Sequence, residues 1–164
     1  ANDLVFYMFA GLVRDMGEEE AFKYFKALEK QDPYIFGPGG IRVSQGVHAG
    51  EFPIGIGFTG HVYSVGGGED GNMAIVPLKP VYALSGPGIA VMAHAPHPNA
   101  ARLLADYINS KEVQEIISAA GYFSNYPDVD APPSMKKLQV VKAPTPQGAE
   151  ADALRARFAK VFGL

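Results

Sequence analysis

The sequence has no cysteine among its 164 residues, and its charges nearly balance to a formal net charge of −3. Without cysteine, a disulfide framework and thiol catalysis are both excluded. Lysine and arginine form no clusters, which argues against nucleic acid and anionic lipid as partners. No apolar run approaches the roughly 20 residues that cross a bilayer, and no export signal is recognisable. The 48% of hydrophobic residues indicates a globular chain that forms one ordinary domain or two small lobes.

Helical periodicity is strongest at the two ends of the chain. Apolar residues recur every three or four positions from Asp3, the expected N-cap, to Gly17, which predicts a first helix. A second helix is predicted to start at the acidic run 18–20 and to end before Asp32 and Pro33. Residues 149–162 predict a terminal helix. Its inward face is expected to carry Leu154, Phe158, Val161 and Phe162.

The central stretch 86–127 predicts a strand followed by two helices. Residues 89–93 are apolar, and Pro98 suits the first turn of a helix because its missing N–H costs nothing there. Ser110 predicts the N-cap of the second helix, and Gly121 predicts its end. The second helix is expected to bury Val113, Ile116 and Ile117.

Three further segments predict short strands, and one predicts a connector. Residues 54–58 alternate large apolar residues with glycine, as a buried strand packed closely on a helix does, and residues 74–77 and 81–84 are also predicted to be strands. The glycine-rich residues 65–72 favour a surface turn. Residues 128–148 are rich in proline and predict an extended surface connector.

A glycine-rich loop before a short helix is the first candidate site. Residues 36–40 are too rich in glycine for regular structure, and residues 41–50 predict a helix whose free N–H groups face the loop. Such an amino terminus favours anions, although a plain turn explains the same pattern. The residues of this candidate anion site are Gly39, Gly40, Ile41 and Arg42.

Polar side chains directly after the 54–58 segment form the second candidate site. In open α/β sheets, ligands bind beyond the carboxyl ends of the strands. Thr59, Gly60, His61 and Tyr63 leave the predicted strand at that point. A purely structural role explains His61 as well as a role in ligand binding does.

Signatures of catalysis and of metal binding are weak. Neither Ser85 nor Thr59 lies in the G-x-S-x-G turn of a nucleophilic hydrolase. His94 and His97 are three residues apart, but the prolines around them favour a bent loop, and no third zinc ligand is evident. We therefore expect a binding protein without catalytic residues, without a bound metal and without a cofactor.

Three blocks of the central stretch resemble the extracellular solute-binding proteins of ABC importers, in the two-lobed type II group that includes iron(III), polyamine, thiamine and sugar-phosphate binders. The blocks are residues 97–103 (HPNAARL), residues 107–114 (YINSKEVQ), and Gly121 and Tyr122 followed by Pro127. Residues 50–58 (GEFPIGIGF) also fit a segment that lines the ligand cleft in that family. The resemblance implies a periplasmic or extracellular bacterial protein, exported by a signal peptide that the sequence does not contain.

The resemblance also implies an architecture. The fold class is α/β, a partial type II periplasmic-binding-protein fold with a mixed sheet flanked by helices. The chain resembles the carboxy-terminal half of such a protein: residues 1–85 supply most of lobe two, and residues 86–164 return to lobe one through the connector 128–148 and the terminal helix 149–162. Ser85, Gly86 and Gly88 are the expected hinge, because glycines absorb the dihedral changes of a closing cleft.

The implied function is to capture a small solute and deliver it to membrane permease subunits. Lys79 and Pro80 stand where the family often carries an acid and a glycine, which favours an anionic solute. An anionic or polyhydroxylated small molecule is expected from the whole set of polar residues near the predicted cleft: Arg42, Thr59, His61, Tyr63 and Lys79. Only Tyr63 lies near the position where iron-binding members carry adjacent tyrosines, so ferric-ion binding is a weaker interpretation. The resemblance is also compatible with a ligand-sensing domain of a receptor and with an enzyme that shares the fold.

Overall fold

The computed structural model describes residues 3–36, 40–76, 80–83 and 88–164. Within these ranges, helices dominate and the two strands are short. The elements are α1 (Asp3–Met16), α2 (Glu18–Glu29), α3 (Ile41–His48), α4 (Thr59–Ser64), β1 (Val81–Ala83), α5 (Pro98–Ile108), α6 (Lys111–Ala119), α7 (Pro133–Lys136), β2 (Val140–Lys142) and α8 (Gly148–Phe162). In the same ranges, no helix has the length and apolar character needed to span a membrane.

An aromatic core joins the first two helices to the last one. Phe25 of α2 is completely buried, and its ring centroid lies 5.1 Å from that of Phe158 in α8 and 4.8 Å from that of Phe9 in α1. Such pairs add about 0.5–1.5 kcal/mol each beyond the burial of their apolar area. The three helices predicted at the two ends of the chain are thereby confirmed, and Leu154, Val161 and Phe162 pack against this core as expected.

The two strands form a parallel pair that lies against α1. Val81 pairs with Val140 and Ala83 with Lys142, so residues far apart in the sequence share one ladder. The ring of Tyr82 occupies the space in which a side chain at Gly11 would lie. Its hydroxyl also donates a hydrogen bond of 2.8 Å to Asp15. A helix-rich chain with a small parallel sheet agrees with the expected α/β class.

The predicted strands are only partly present. Residues 81–83 form β1, whereas residue 84 lies outside the described residues. The predictions of strands at 54–58, 74–76 and 89–93 are wrong, because these segments pair with no other segment among the described residues. Residue 77 is not described. Conversely, the predicted connector 128–148 contains the helical turn α7 and the strand β2.

Helix α6 begins as predicted, and Val113 and Ile117 are partly buried as expected, whereas Ile116 is not. The Ser110 hydroxyl caps it by accepting a hydrogen bond from the backbone N–H of Val113 at 3.4 Å. Its buried side chains are Gln114 and Ser118, whereas Ile116 is 61% exposed. Polar burial is possible here because Gln114 donates to the Ile108 carbonyl at 3.1 Å and Ser118 donates to the Asp130 carbonyl at 2.8 Å.

Candidate functional site

An open cavity of about 450 Å³ lies between α4, α6 and the segment before α7. Hydrogen-bond acceptors dominate its polar lining. The lining residues are Tyr63, Glu69, Glu115, Ser118, Ala119, Asp128, Val129, Asp130, Ala131 and Pro132. Carboxylates accept hydrogen bonds when they are ionised, so this lining suits a ligand that offers hydroxyl or amine donors.

Tyr63 forms a fixed part of the cavity wall. Its hydroxyl donates a hydrogen bond of 2.9 Å to Glu69 and lies 2.8 Å from the hydroxyl of Ser134. Because a tyrosine has a single hydroxyl proton, Ser134 is the donor in the second bond. Burial raises the pKa of Tyr63. The side chain therefore stays a neutral phenol at physiological pH.

Glu69 links the glycine-rich loop to α7. Its carboxylate accepts a hydrogen bond of 2.8 Å from the backbone N–H of Ser134, as well as the bond from Tyr63. These donors, first of all the Ser134 backbone, lower the pKa of Glu69. Glu69 is therefore ionised at neutral pH and holds the loop, α4 and α7 together at the rim of the cavity.

Helix α4 and the end of α6 are packed by reciprocal tyrosine–glycine contacts. The ring of Tyr122 fills the space over Gly60, and the ring of Tyr63 lies where a side chain at Gly121 would be. Thr59 donates a hydrogen bond of 2.7 Å to the carbonyl oxygen of Gly121. Thr59 and Gly60, both predicted site residues, thus join the two helices and are not among the residues that line the cavity.

His61 is half-buried on helix α4. Its ring meets that of Phe58 edge-on at 5.2 Å between centroids. The Nδ1 atom is buried and has no hydrogen-bond partner among the described residues. His61 does not line the 450 Å³ cavity.

The predicted anion site is only partly described. Gly40 has helical backbone angles before α3, and no side chain caps that helix. Arg42 is exposed and forms no ion pair with another described residue. Helix α3 contacts α4, but neither Ile41 nor Arg42 lines the cavity. Gly39 and Lys79 lie outside the described residues.

The predicted hinge also lies mainly outside the described residues, which include Gly88 but not Ser85 or Gly86. Gly88 is exposed, and apart from its chain neighbours no described atom lies within 4 Å of the position of a side chain there. A side chain at this position would therefore meet no described residue.

The sequence did not predict the carboxylates that make the cavity lining acidic. The sequence pattern puts Glu69 in a surface turn, and Asp128 and Asp130 in a surface connector. Glu69 and Ser134 are 65 residues apart, and no local pattern signals that their segments meet. In the described part of the chain, no three His, Asp or Glu side chains are grouped so as to hold a metal ion.

The family model of bacterial extracellular solute-binding proteins matches residues 4–143. This range contains every described residue of the cavity lining and most of the 164-residue chain. No curated protein and no solved structure matches the chain.

The chain therefore belongs to the bacterial extracellular solute-binding proteins. These are binding components of ABC transport systems, which capture a solute outside the cytoplasm.

Proposed function

We propose that this chain forms part of the solute-binding wall of an ABC importer component, and that the solute is small and polyhydroxylated. The observation that carries the proposal is the 450 Å³ cavity with its carboxylate-rich lining, in a chain of the solute-binding family. Sugar and polyol hydroxyls donate hydrogen bonds to carboxylates, and Val129, Ala131 and Pro132 offer apolar contact to the carbon skeleton.

The cavity lining favours a neutral polyol over an anion. Glu69, Glu115, Asp128 and Asp130 supply four carboxylates. Two exposed lysines pair with them, Lys136 at 3.2 Å from Asp130 and Lys111 at 4.0 Å from Glu115, so the carboxylates outnumber the cations paired with them among the described residues. Like charges at such a site disfavour an anionic solute. Anion binding by Gly39, Gly40, Ile41, Arg42 and Lys79 stays a prediction, and of the described residues in this set none lines the cavity.

Several features argue against ferric-ion binding. Tyr63 already shares its hydroxyl with Glu69 and Ser134, and its raised pKa opposes the tyrosinate that ferric iron requires. Among the described residues, no three His, Asp or Glu side chains are grouped so as to supply further ligands.

We further propose that residues 1–85 supply most of lobe two, that residues 86–164 return to lobe one, and that closure occurs at the 85–88 crossing. The open space around Gly88 supports a hinge there. Gly88→Pro restricts the backbone at that point. It should weaken solute binding while leaving the melting temperature within about 2 °C of the original. An unchanged affinity would contradict a hinge at Gly88.

The solute proposal is tested by thermal-shift and calorimetric titration. Monosaccharides and polyols are compared with sugar phosphates, polyamines and ferric citrate. Glu115→Gln in the cavity lining is compared with Glu112→Gln, a matched control on the same helix whose position is not in the lining. We expect binding of neutral polyols, weakened about tenfold by Glu115→Gln because one charge-assisted hydrogen bond is lost, and unaffected by Glu112→Gln. Binding of sugar phosphates alone would refute the proposal that the solute is a neutral polyol.

A further inference from the structure

Asp70 and Gly71 form the one Asp–Gly dipeptide of the sequence, which contains no Asn–Gly. Both residues are exposed, and they lie in the glycine-rich loop 65–72. The Asp70 carboxyl group and the backbone N–H of Gly71 form no hydrogen bond or ion pair with another described residue. No contact among the described residues therefore holds these two neighbouring groups away from each other.

The packing of the loop requires glycine at position 71. A Cβ atom there would lie 2.5 Å from the carbonyl oxygen of Gly66 and would also strike the backbone of Gly67. Backbone atoms cannot turn aside as the end of a flexible side chain can, so a larger residue would displace the loop. The absence of a side chain also leaves the Gly71 nitrogen unshielded toward Asp70. The structure thus retains a chemically labile dipeptide at this point.

The loop is anchored on both sides of this dipeptide. Directly before it, the Glu69 carboxylate accepts hydrogen bonds from the Tyr63 hydroxyl at 2.9 Å and from the Ser134 backbone N–H at 2.8 Å. Directly after it, Asn72 accepts a hydrogen bond from Nδ1 of His48 at 2.8 Å and donates one to the His48 carbonyl oxygen at 3.2 Å. A change in the length of the backbone between these two anchors therefore pulls on at least one of them.

We propose that Asp70–Gly71 is a site of spontaneous isoaspartate formation, and that this modification loosens the rim of the cavity. The Gly71 nitrogen attacks the carbonyl carbon of the protonated Asp70 carboxyl group and forms a C–N bond. The carboxyl hydroxyl and the amide proton leave together as water, which closes a five-membered succinimide ring. Water then adds to one of the two ring carbonyl carbons and breaks the bond between that carbon and nitrogen.

The carbon that water attacks decides the product. Opening at the side-chain carbonyl restores aspartate, whereas opening at the main-chain carbonyl leaves isoaspartate, in which the chain runs through the former side chain. The steps change no oxidation state and need no reagent other than water. Isoaspartate lengthens the backbone by one carbon and leaves a free carboxylate on Cα of residue 70.

The expected consequence is a weaker attachment of the loop. Glu69 holds the loop to α4 and α7, and a longer backbone beside it disturbs the geometry of both hydrogen bonds. Their weakening should lower the melting temperature by about 2–8 °C. The proposal does not depend on which solute the cavity takes.

Ageing the 164-residue chain for several weeks in warm buffer near neutral pH tests the chemistry. Peptide mapping with electron-transfer fragmentation distinguishes isoaspartate from aspartate, although the two have equal mass. We expect isoaspartate to accumulate at residue 70. The internal controls are Asp128 and Asp130, which are also exposed and lie outside helices and strands, but which valine and alanine follow. Isoaspartate that is no more abundant at residue 70 than at these controls overturns the proposal.

Two variants test the consequence. Asp70→Glu keeps the charge at an exposed position, but its carboxyl group is one bond further from the nitrogen and cannot close the five-membered ring. The original chain should therefore lose melting temperature on ageing, whereas Asp70→Glu should not. In Glu69→Ala, isoaspartate should form as before but lower the melting temperature less, because the Glu69 hydrogen bonds are already absent. An equal loss in Asp70→Glu, or an undiminished loss in Glu69→Ala, also overturns the proposal.

Discussion

Replacing Gly121 by alanine tests the contact that joins α4 to the end of α6. Gly121 follows α6 with a φ of +82°, and a Cβ atom there would lie 2.5 Å from Cδ2 of Tyr63. The substitution therefore combines backbone strain with a displacement of the Tyr63 ring. That displacement separates the Tyr63 hydroxyl from Glu69 and Ser134, to which it is now bonded at 2.9 and 2.8 Å.

The expected loss of stability follows from these two effects. An L-residue in the left-handed region costs about 1–2 kcal/mol, and each of the two hydrogen bonds contributes about 0.5–1.5 kcal/mol. The sum is about 2–5 kcal/mol. For a chain of this size, such a loss lowers the melting temperature by about 4–20 °C.

Gly50→Ala is the matched control. Gly50 lies at the same position after α3 as Gly121 after α6, its φ is +76°, and its N–H bonds the carbonyl three residues back, as that of Gly121 does. Apart from its chain neighbours, no described residue lies within 4 Å of the added Cβ. Gly50→Ala should therefore lose only the stability that the backbone strain costs, about 1–2 kcal/mol. Urea unfolding measures both variants. Equal losses for Gly50→Ala and Gly121→Ala would refute the reasoning, as would an undiminished effect of Gly121→Ala in a Tyr63→Ala background.

Three further predictions concern stability and its pH dependence. Phe25→Ala should cost about 3–5 kcal/mol in urea unfolding, because this ring is fully buried, whereas Tyr24→Ala, on the exposed side of the same helix, should stay within about 1 kcal/mol. The pKa of Glu69 is lowered from 4.5. Ionised Glu69 therefore stabilises the folded state above pH 4.5, and this stabilisation is lost as the pH falls through the folded-state pKa. Glu69→Gln should be less stable than the original protein at pH 7 and equally stable at low pH, as measured by urea unfolding. Burial and Asp15 raise the pKa of Tyr82 from 10 to about 12, so the native state gains stability below pH 10 that it loses as the pH rises toward 12. Tyr82→Phe should flatten this alkaline loss, and an equal slope in both proteins would contradict the assignment.

The helices could be predicted from the sequence because their signals are local. Periodicity, the proline at the start of α5 and the Ser110 cap are each encoded within a few residues, and the structure contains the corresponding elements. The buried faces are harder to predict. Gln114 is buried because its amide oxygen accepts hydrogen bonds from Ser124 and from the backbone of Asn125, both at 3.0 Å, and the return of that segment is not visible in the helix sequence.

The strands are less predictable because a strand exists only when a neighbour supplies hydrogen bonds. Residues 54–58 have a strand-like composition, yet among the described residues they meet side chains of α3: a Cβ at Gly55 would contact Val43 and Val47. In contrast, residues 140–142 lie in a stretch whose composition is typical of a connector, and they form β2 because β1 is beside them. Composition indicates which segments are extended, but pairing depends on contacts across the chain.

The candidate site depends both on local sequence signals and on contacts between distant parts of the chain. Tyr63 is predicted from its place after a presumed strand, and it does line the cavity, although the segment before it is unpaired. The cavity walls are joined by the Thr59–Gly121 hydrogen bond and by the two tyrosine–glycine contacts. Separating α4 from the end of α6 would break this hydrogen bond and both packing contacts together. Helix α4 and the end of α6 are therefore expected to move as one unit, so the closure proposed above would have to use backbone outside this unit, such as the proposed hinge at Gly88.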